Sequence, residues 1–357
     1  MTRKIFRKCI IVILGLMIFG AVSLFVRHLG RVESVEPDTE VTNMNEYMNG
    51  DCVLVIKANG IKTFPFVFGE SLYLYDITND KWKLVKNRMI PFSGFGYELA
   101  VDDKNVYYNK YFESDGIELY SRGIGAIGFE KEILDQVGIY TISSDYMFYL
   151  KKRESYDWDN YIYRMDRKTG KKEVYMKGQF SFVLRQDHGC LYTFDNQKKE
   201  AMEITENKKE VTKCKGIKEP QWIGSVDKDS FIIVMPDEIV SYDKRKSTKK
   251  YYVKDIKEEE SLINDKAILK DGNLYFSDMG LRMYRLNLKN GKKETVFSLR
   301  DQENIKKYVE NGDNEPEIRF TKSYITVDLC YDHSSKRKYF VYSYDGELIR
   351  EFSLPEY

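Results

Sequence analysis

The sequence predicts an all-β fold, a seven-bladed β-propeller with four antiparallel strands per blade, preceded by one N-terminal transmembrane helix. Three observations carry that expectation. Tyr and Phe together number 48 of the 357 residues and sit mostly in short runs with β-branched neighbours, which is a strand composition. Those runs recur with a period of about 43 residues, the length of a propeller blade. One stretch near the N-terminus, Cys9 to Val26 (CIIVILGLMIFGAVSLFV), carries no charge.

The elements follow in chain order. Residues 1–8 form a basic segment with Arg3, Lys4, Arg7 and Lys8. Residues 9–26 are apolar or small, and a helix of that length reaches roughly 27 Å, enough for a thin bilayer core. The run ends SLFVRHLGR, without the small-residue cleavage pattern of a secretory signal, so it reads as an uncleaved anchor, with a cleaved signal as the alternative. Four basic residues precede it and only Arg27 and Arg31 follow closely, which puts the N-terminus in the cytoplasm and the rest outside. Residues 27–49 are mostly polar and acidic and read as an extracytoplasmic tether. Residues 50–355 are the propeller.

The repeat is clearest in two hairpins, YRMDRKTGKKEV at 163–174 and YRLNLKNGKKETV at 284–296. In each, two strands flank a K-[TN]-G-K-K turn. A second pair of strands stands upstream of each, YTISSDYMFYLK at 140–151 and AILKDGNLYFSD at 267–278, so four strands make one unit. Equivalent units begin near Cys52, Tyr97, Phe180, Trp222 and Ile318. One central residue of each second strand gives the series Phe66, Tyr107, Phe148, Tyr192, Ile232, Tyr275 and Ile325, spaced by 41, 41, 44, 40, 43 and 50 residues.

In the sixth unit, Leu274-Tyr-Phe-Ser-Asp278 followed by MGLRMYRLNLKNGKKETV resembles the YWTD-type propellers of lipoprotein-receptor-related proteins. The region 50–355 with its N-terminal apolar run resembles the membrane-anchored single-propeller proteins of unknown function found in low-GC Gram-positive bacteria. Other units lack the Trp of the motif and displace its Asp, as in VYYNK at 106–110. The resemblance implies the fold and leaves activity open.

The stretch SRGIGAIGFE at 121–130 contains G-x-G-x-x-G at Gly123, Gly125 and Gly128. Dinucleotides use that spacing where a strand gives way to a helix. Aligned by repeat, it falls between the third and fourth strands of the second unit, where glycine serves turn geometry, so no nucleotide is expected. Net charge is +1 from 57 basic and 56 acidic residues finely mixed, which offers nucleic acid no field of one sign. Lys244-Arg-Lys246 and Lys257 to Glu260 read as solvated turns.

Catalytic signals are sparse. His28, His188 and His333 flank the membrane run or lie in turns, and none pairs with another ligand at metal spacing. Asp157, Asp159 and Asn160, and NGDNE at 311–315, do not complete a calcium loop. No G-x-S-x-G occurs, and the three Trp are too few for a quinone-cofactor propeller. No metal and no cofactor are expected. Cys52, Cys190, Cys214 and Cys330 allow two disulfides in three connectivities, or four separate thiols.

What remains is surface. Loops from second to third strands, and from each fourth strand to the next blade, share one rim of a propeller. Tyr156, Asp157 and Trp158 in KRESYDWDN, and Trp222 after Glu219-Pro-Gln221, are expected on that rim as anchors for a protein or cell-wall ligand, against the alternative that both Trp pack between blades. The 301–317 linker (DQENIKKYVENGDNEPE) is expected to project there with one short helix. The favoured function is a membrane-anchored extracytoplasmic binding module. The alternative is a hydrolase or carbohydrate-active enzyme with carboxylates at the channel mouth.

Overall fold

The computed structural model describes residues 51–353 apart from connections at 59–67, 90–93, 102–104, 112–116, 124–130, 144, 153–157, 187–188, 208–209, 254–261, 279–280, 304, 307–316 and 330–337, together with residues 15, 17, 18 and 20–22. The first sheet contains β1 (Cys52–Ala58), β2 (Phe68–Asp76) and β3 (Lys81–Met89). Six four-stranded antiparallel sheets follow. They are β4 (Gly94–Val101), β5 (Asn105–Tyr111), β6 (Ile117–Gly123) and β7 (Lys131–Leu134); then β8 (Val137–Ile142), β9 (Tyr146–Lys152), β10 (Trp158–Asp166) and β11 (Lys172–Lys177). Next come β12 (Phe180–Gln186), β13 (Cys190–Asp195), β14 (Glu200–Thr205) and β15 (Val211–Lys215); then β16 (Trp222–Asp227), β17 (Ser230–Val234), β18 (Ile239–Asp243) and β19 (Thr248–Val253). The last two are β20 (Leu262–Lys270), β21 (Asn273–Asp278), β22 (Arg282–Asn287) and β23 (Lys293–Ser298), and β24 (Glu317–Phe320), β25 (Tyr324–Leu329), β26 (Lys338–Ser343) and β27 (Leu348–Ser353).

Successive first strands neighbour one another from β4 through β8, β12, β16 and β20 to β24, which is the inner wall of a propeller. The middle strands carry the core, and the charged groups they bury, such as Glu203, are paired. β13 (CLYTFD) and β14 (EAMEIT) are buried almost throughout, whereas the outermost β19 (TKKYYV) is not buried at any position. A strand between two neighbouring blades must cover both faces, and an outermost strand need not. The K-T-G-K-K and K-N-G-K-K turns close through Gly170 and Gly291 at φ of 71° and 76°, a backbone region that favours glycine.

The expectation of seven four-stranded blades is corrected to six, because the sheet that comes first in sequence has three strands among the described residues. Its missing position can be read from hydrogen bonds. In four other blades the residue just before the second strand accepts an amide from the residue just after the third: Arg167 N donates to Asp145 O, Glu206 N to Gly189 O, Lys244 N to Asp229 O and Leu288 N to Gly272 O. In the first sheet Ile77 N donates to Asp51 O, and the Asp51 carboxylate accepts Thr321 Oγ1 and Ser323 N from the first-to-second strand turn of the last blade, so β1 begins on the rim where second strands begin. The stretch CVLVIKA is therefore a second strand in register with β2, and Phe66, chosen to mark that strand, lies outside the described residues.

The ring closes between the last blade and the first. Val53, Tyr75 and Ile77 share one buried cluster with Ile318, Phe320, Tyr339 and Tyr342. The run 9–26 lies mostly outside the described residues. Gly15, Met17, Ile18, Gly20, Ala21 and Val22 are helical, with Met17 67% and Ile18 61% exposed. Among the described residues no helix is long and apolar enough to cross a membrane.

Candidate functional site

The expected rim can be built around the junction of blades three and four. The link between them runs through Gly178 and Gln179. Gly178 N donates to Asn160 O at 3.0 Å, and Asn196 N donates to Gln179 O at 2.7 Å, so β10, the link and the β13–β14 turn are tied at one edge. Gly178 is demanded by close approach: a Cβ there would meet Phe180 Cζ at 2.7 Å and Asp195 Oδ2 at 2.8 Å.

Beneath this edge lies Asp195, 1% exposed. It closes the DNQKK turn by accepting the amides of Gln197 (3.1 Å) and Lys198 (3.0 Å) and the Lys198 ammonium (2.6 Å). Burial would raise this carboxyl, but the Lys198 ammonium and those amides outweigh burial and hold it below its usual range. Asp278, 0% exposed at the rim end of β21, is matched in the same way. It accepts the Arg282 amide at 3.0 Å, Arg282 Nε at 2.8 Å and the Tyr284 hydroxyl at 2.8 Å. The Asp of the YFSD stretch thus folds the β21–β22 connection back on itself. A strand-terminal Asp followed by Arg four residues on and Tyr six residues on was the sequence signal for this knot, and motif resemblance alone does not reveal it.

The residues expected at the site fare differently. Tyr156 and Asp157 lie outside the described residues. Trp158 begins β10, paired with Lys152 and two residues before Asn160, at the edge just described. Trp222 is 2% exposed and belongs to the core cluster with Ile223, Phe231 and Leu274, so its indole is packing and not rim surface. The first residue of a strand leading into the inner wall is covered by the blade on either side. The stretch SRGIGAIGFE joins β6 to β7, which pair in one sheet through Leu119 and Leu134. It connects two strands, as the repeat alignment expects, although residues 124–130 themselves are outside the described set.

The 301–317 insertion starts with a single 3-10 turn at Leu299–Asp301 and a helical turn in which Ile305 N and Lys306 N donate to Gln302 O. Ile305 is 0% exposed in the cluster shared by blades six, seven and one, so the insertion departs from a docked base. The three histidines and the NGDNE stretch lie outside the described residues, as does Cys330. Among the described residues no three His, Cys, Asp or Glu side chains gather as a metal site. Cys190 and Cys214 are thiols in no disulfide, and burial pushes Cys214 up to about 11.

With this geometry in hand the protein is a β-propeller. No family model matches the sequence, and no curated protein matches it. Among solved structures it is similar to a computationally designed protein named Ika8, with a TM-score of 0.51 at 10% identity over 90% of each chain. It is also similar to a catalytically inactive virginiamycin B lyase from Staphylococcus aureus solved with quinupristin, with a TM-score of 0.49 at 16% identity over 78% of this chain and 96% of that one. Identities this low speak to fold alone.

Proposed function

We propose that this chain is a membrane-anchored, extracytoplasmic protein of the single-propeller type met in low-GC Gram-positive bacteria, and that it binds a protein or cell-wall component on the rim around Trp158. One observation carries the preference for binding over hydrolysis. Among the described residues three buried carboxylates stand on this rim, and each is engaged by a base: Asp195 by Lys198, Asp278 by Arg282, and Glu200, across from Asp195, by Lys213 at 3.1 Å. A carboxylate held in that way is poorly placed to take or give a proton to a ligand. The exposed groups around them, Gln179, Asn196, Gln197, Lys198 and Lys199, are hydrogen-bonding side chains suited to a polar partner surface. The exposed apolar side chains of Met17, Ile18 and Val22 on a helical stretch support the anchor.

The test is partner capture by proximity crosslinking on intact cells. Trp158→Ala should weaken capture at least about tenfold, the loss expected of an interface Trp, with the melting temperature nearly unchanged. Capture that survives while stability falls by several kcal/mol would assign Trp158 to blade packing and move the site elsewhere. External protease should remove the bulk of the protein from intact cells, and a protected propeller would reverse the orientation.

A further inference from the structure

We infer that the inner edge of β1 is a docking edge for residues 43–49 of the same chain (NMNEYMN), which enter the ring as the first strand of blade one and complete it to four strands. Residues 43–49 lie outside the described set, and the described residues around them call for this strand.

Two observations meet at this edge. The first is position. β12, the inner strand of blade four, neighbours β8, β9 and β10, the first three strands of the blade before it. β4, the inner strand of blade two, neighbours β1 and β2, which hold the second and third places of blade one, and among the described residues no strand stands in the first place. A bare inner edge presents a row of backbone N–H and C=O groups that need partners. β27 is the outermost strand of blade seven, so the chain leaving it starts at the periphery of the ring and not at this edge. β1 begins on the rim of the first-to-second strand turns, where Asp51 meets the β24–β25 turn, so the residues just before it arrive by the turn that first strands use.

The second is turn chemistry. In blade six the same place is a two-residue hairpin, in which Lys270 pairs with Asn273 around Asp271 and Gly272 at φ of 50° and 73°. There Gly272 O takes the amide of Leu288 at 3.1 Å. Asp51 O takes the equivalent amide of Ile77 at 2.8 Å, which aligns Gly50-Asp51 with Asp271-Gly272. Gly followed by Asp is the composition of a type II′ hairpin turn, and Asp51 itself is in a turn. A two-residue loop fixes the register, so Asn49 opposes Cys52, Met48 opposes Val53 and Glu46 opposes Val55. The pleat then puts Met44 and Met48 on the face of Val53, which is buried in the cluster that closes the ring, and Tyr47 on the face of Leu54. Glu46 gains Lys57 as its diagonal neighbour on one face, a pairing of opposite charge. The tether expected from composition therefore ends near residue 42.

The experiment uses the full chain in detergent micelles. Glu46→Cys combined with Val55→Cys is compared with Asn45→Cys and with Tyr47→Cys, each in the same Val55→Cys background, and the disulfide formed under mild oxidation is read by mass spectrometry of the linked peptides. Directly opposed residues lie within disulfide reach while their sequence neighbours point to the other face, so the first pair should crosslink at least about tenfold faster than either control. Equal rates in all three pairs would overturn the assignment, as would no crosslink in the first while its far-ultraviolet circular dichroism matches the unmutated chain. Residue-resolved hydrogen exchange on the unmutated chain decides the matter where a cysteine variant does not fold. Every amide from Val53 to Lys57 should be protected, because alternate ones donate to β2 and the rest to residues 43–49. Protection of alternate amides only would leave the inner edge bare and overturn the inference. Full protection without the Glu46–Val55 crosslink in a folded variant would give the edge to another segment or to a second copy, which overturns it equally.

Discussion

The boundary between blades four and five and the seam between blades seven and one are built from the same three kinds of group, yet they differ in how much water reaches them. At the inner boundary the Tyr192 hydroxyl donates to Glu203 Oε2 at 2.8 Å, and Lys244 of the next blade reaches Glu203 Oε1 at 2.7 Å. The side chains of Glu203 and Lys244 are only 8% and 15% exposed. At the seam the Tyr75 hydroxyl donates to Asp80 Oδ1 at 2.7 Å, and Arg350 approaches the same oxygen at 3.3 Å, but here Asp80 is 58% and Arg350 31% exposed. A desolvated ion pair is strong to break, and an exposed one contributes little.

The seam compensates with aromatic area. Tyr75 packs on Trp82 at 4.5 Å and on Phe352 at 4.2 Å between ring centroids, and Phe352 stacks on Tyr339 at 5.1 Å. Arg350 also donates to the Ile77 carbonyl at 3.0 Å, tying the last strand to the first blade's turn. The chain does not run on from blade seven into blade one, whereas the link Gly216 to Gln221 joins blades four and five. A ring whose ends meet needs packing at the one place where the chain supplies no tether.

Alkali should act on both regions at once and so have the largest effect. Burial, helped by the neighbouring Asp80, pushes Tyr75 up to about 12, and burial likewise takes Tyr149 and Tyr175 up to about 12. Burial and then Glu203 raise Tyr192 as well. A raised folded pKa favours the neutral phenol in the native state. That stability is fully present below the ordinary tyrosine value of 10 and is lost as pH rises from there through 12. Circular dichroism against pH should show cooperative unfolding in that window, and a tyrosine absorbance titration centred at the ordinary value with the fold intact would contradict it.

Glu203→Ala comes next. It leaves Lys244 with its charge in a largely buried place and should cost about 3–5 kcal/mol in urea denaturation. A loss under about 1 kcal/mol would erase the contrast between the two boundaries. Trp82→Ala should cost about 2–3 kcal/mol, below the range for fully buried aromatics because Trp82 is half-buried. Hydrogen exchange should then rise in β2, β3 and β27 before it rises in β16 to β18. Uniform loss of protection would mean that the seam is no weaker than any other boundary. Asp80→Asn should be the smallest change, under about 1 kcal/mol, and it should shrink further in salt.

Several elements of the fold were legible because they depend on neighbours in sequence. The K-T-G-K-K and K-N-G-K-K hairpins, the strand runs around Phe148, Tyr192, Ile232, Tyr275 and Ile325, and the place of GIGAIG between two paired strands all follow from turn chemistry and composition over a few residues. The first sheet was misread for the opposite reason. CVLVIKA and TFPFVF look equally like strands, and only the contact of Asp51 with the β24–β25 turn, some 270 residues away, says which position β1 takes.

The amino-acid sequence by itself thus determined a repeated four-strand unit, because side-chain alternation and turn preference are local properties that survive without tertiary context. It also determined a charge-free N-terminal run and a finely mixed surface charge. The tertiary structure alone decided that Trp222 is core while Trp82 closes the ring, and that Asp195 and Asp278 are neutralised knots. It alone decided that one Tyr–carboxylate–base group is buried and its counterpart wet. Each of these is a matter of what another blade covers, and coverage depends on groups dozens to hundreds of residues away whose approach no local pattern encodes.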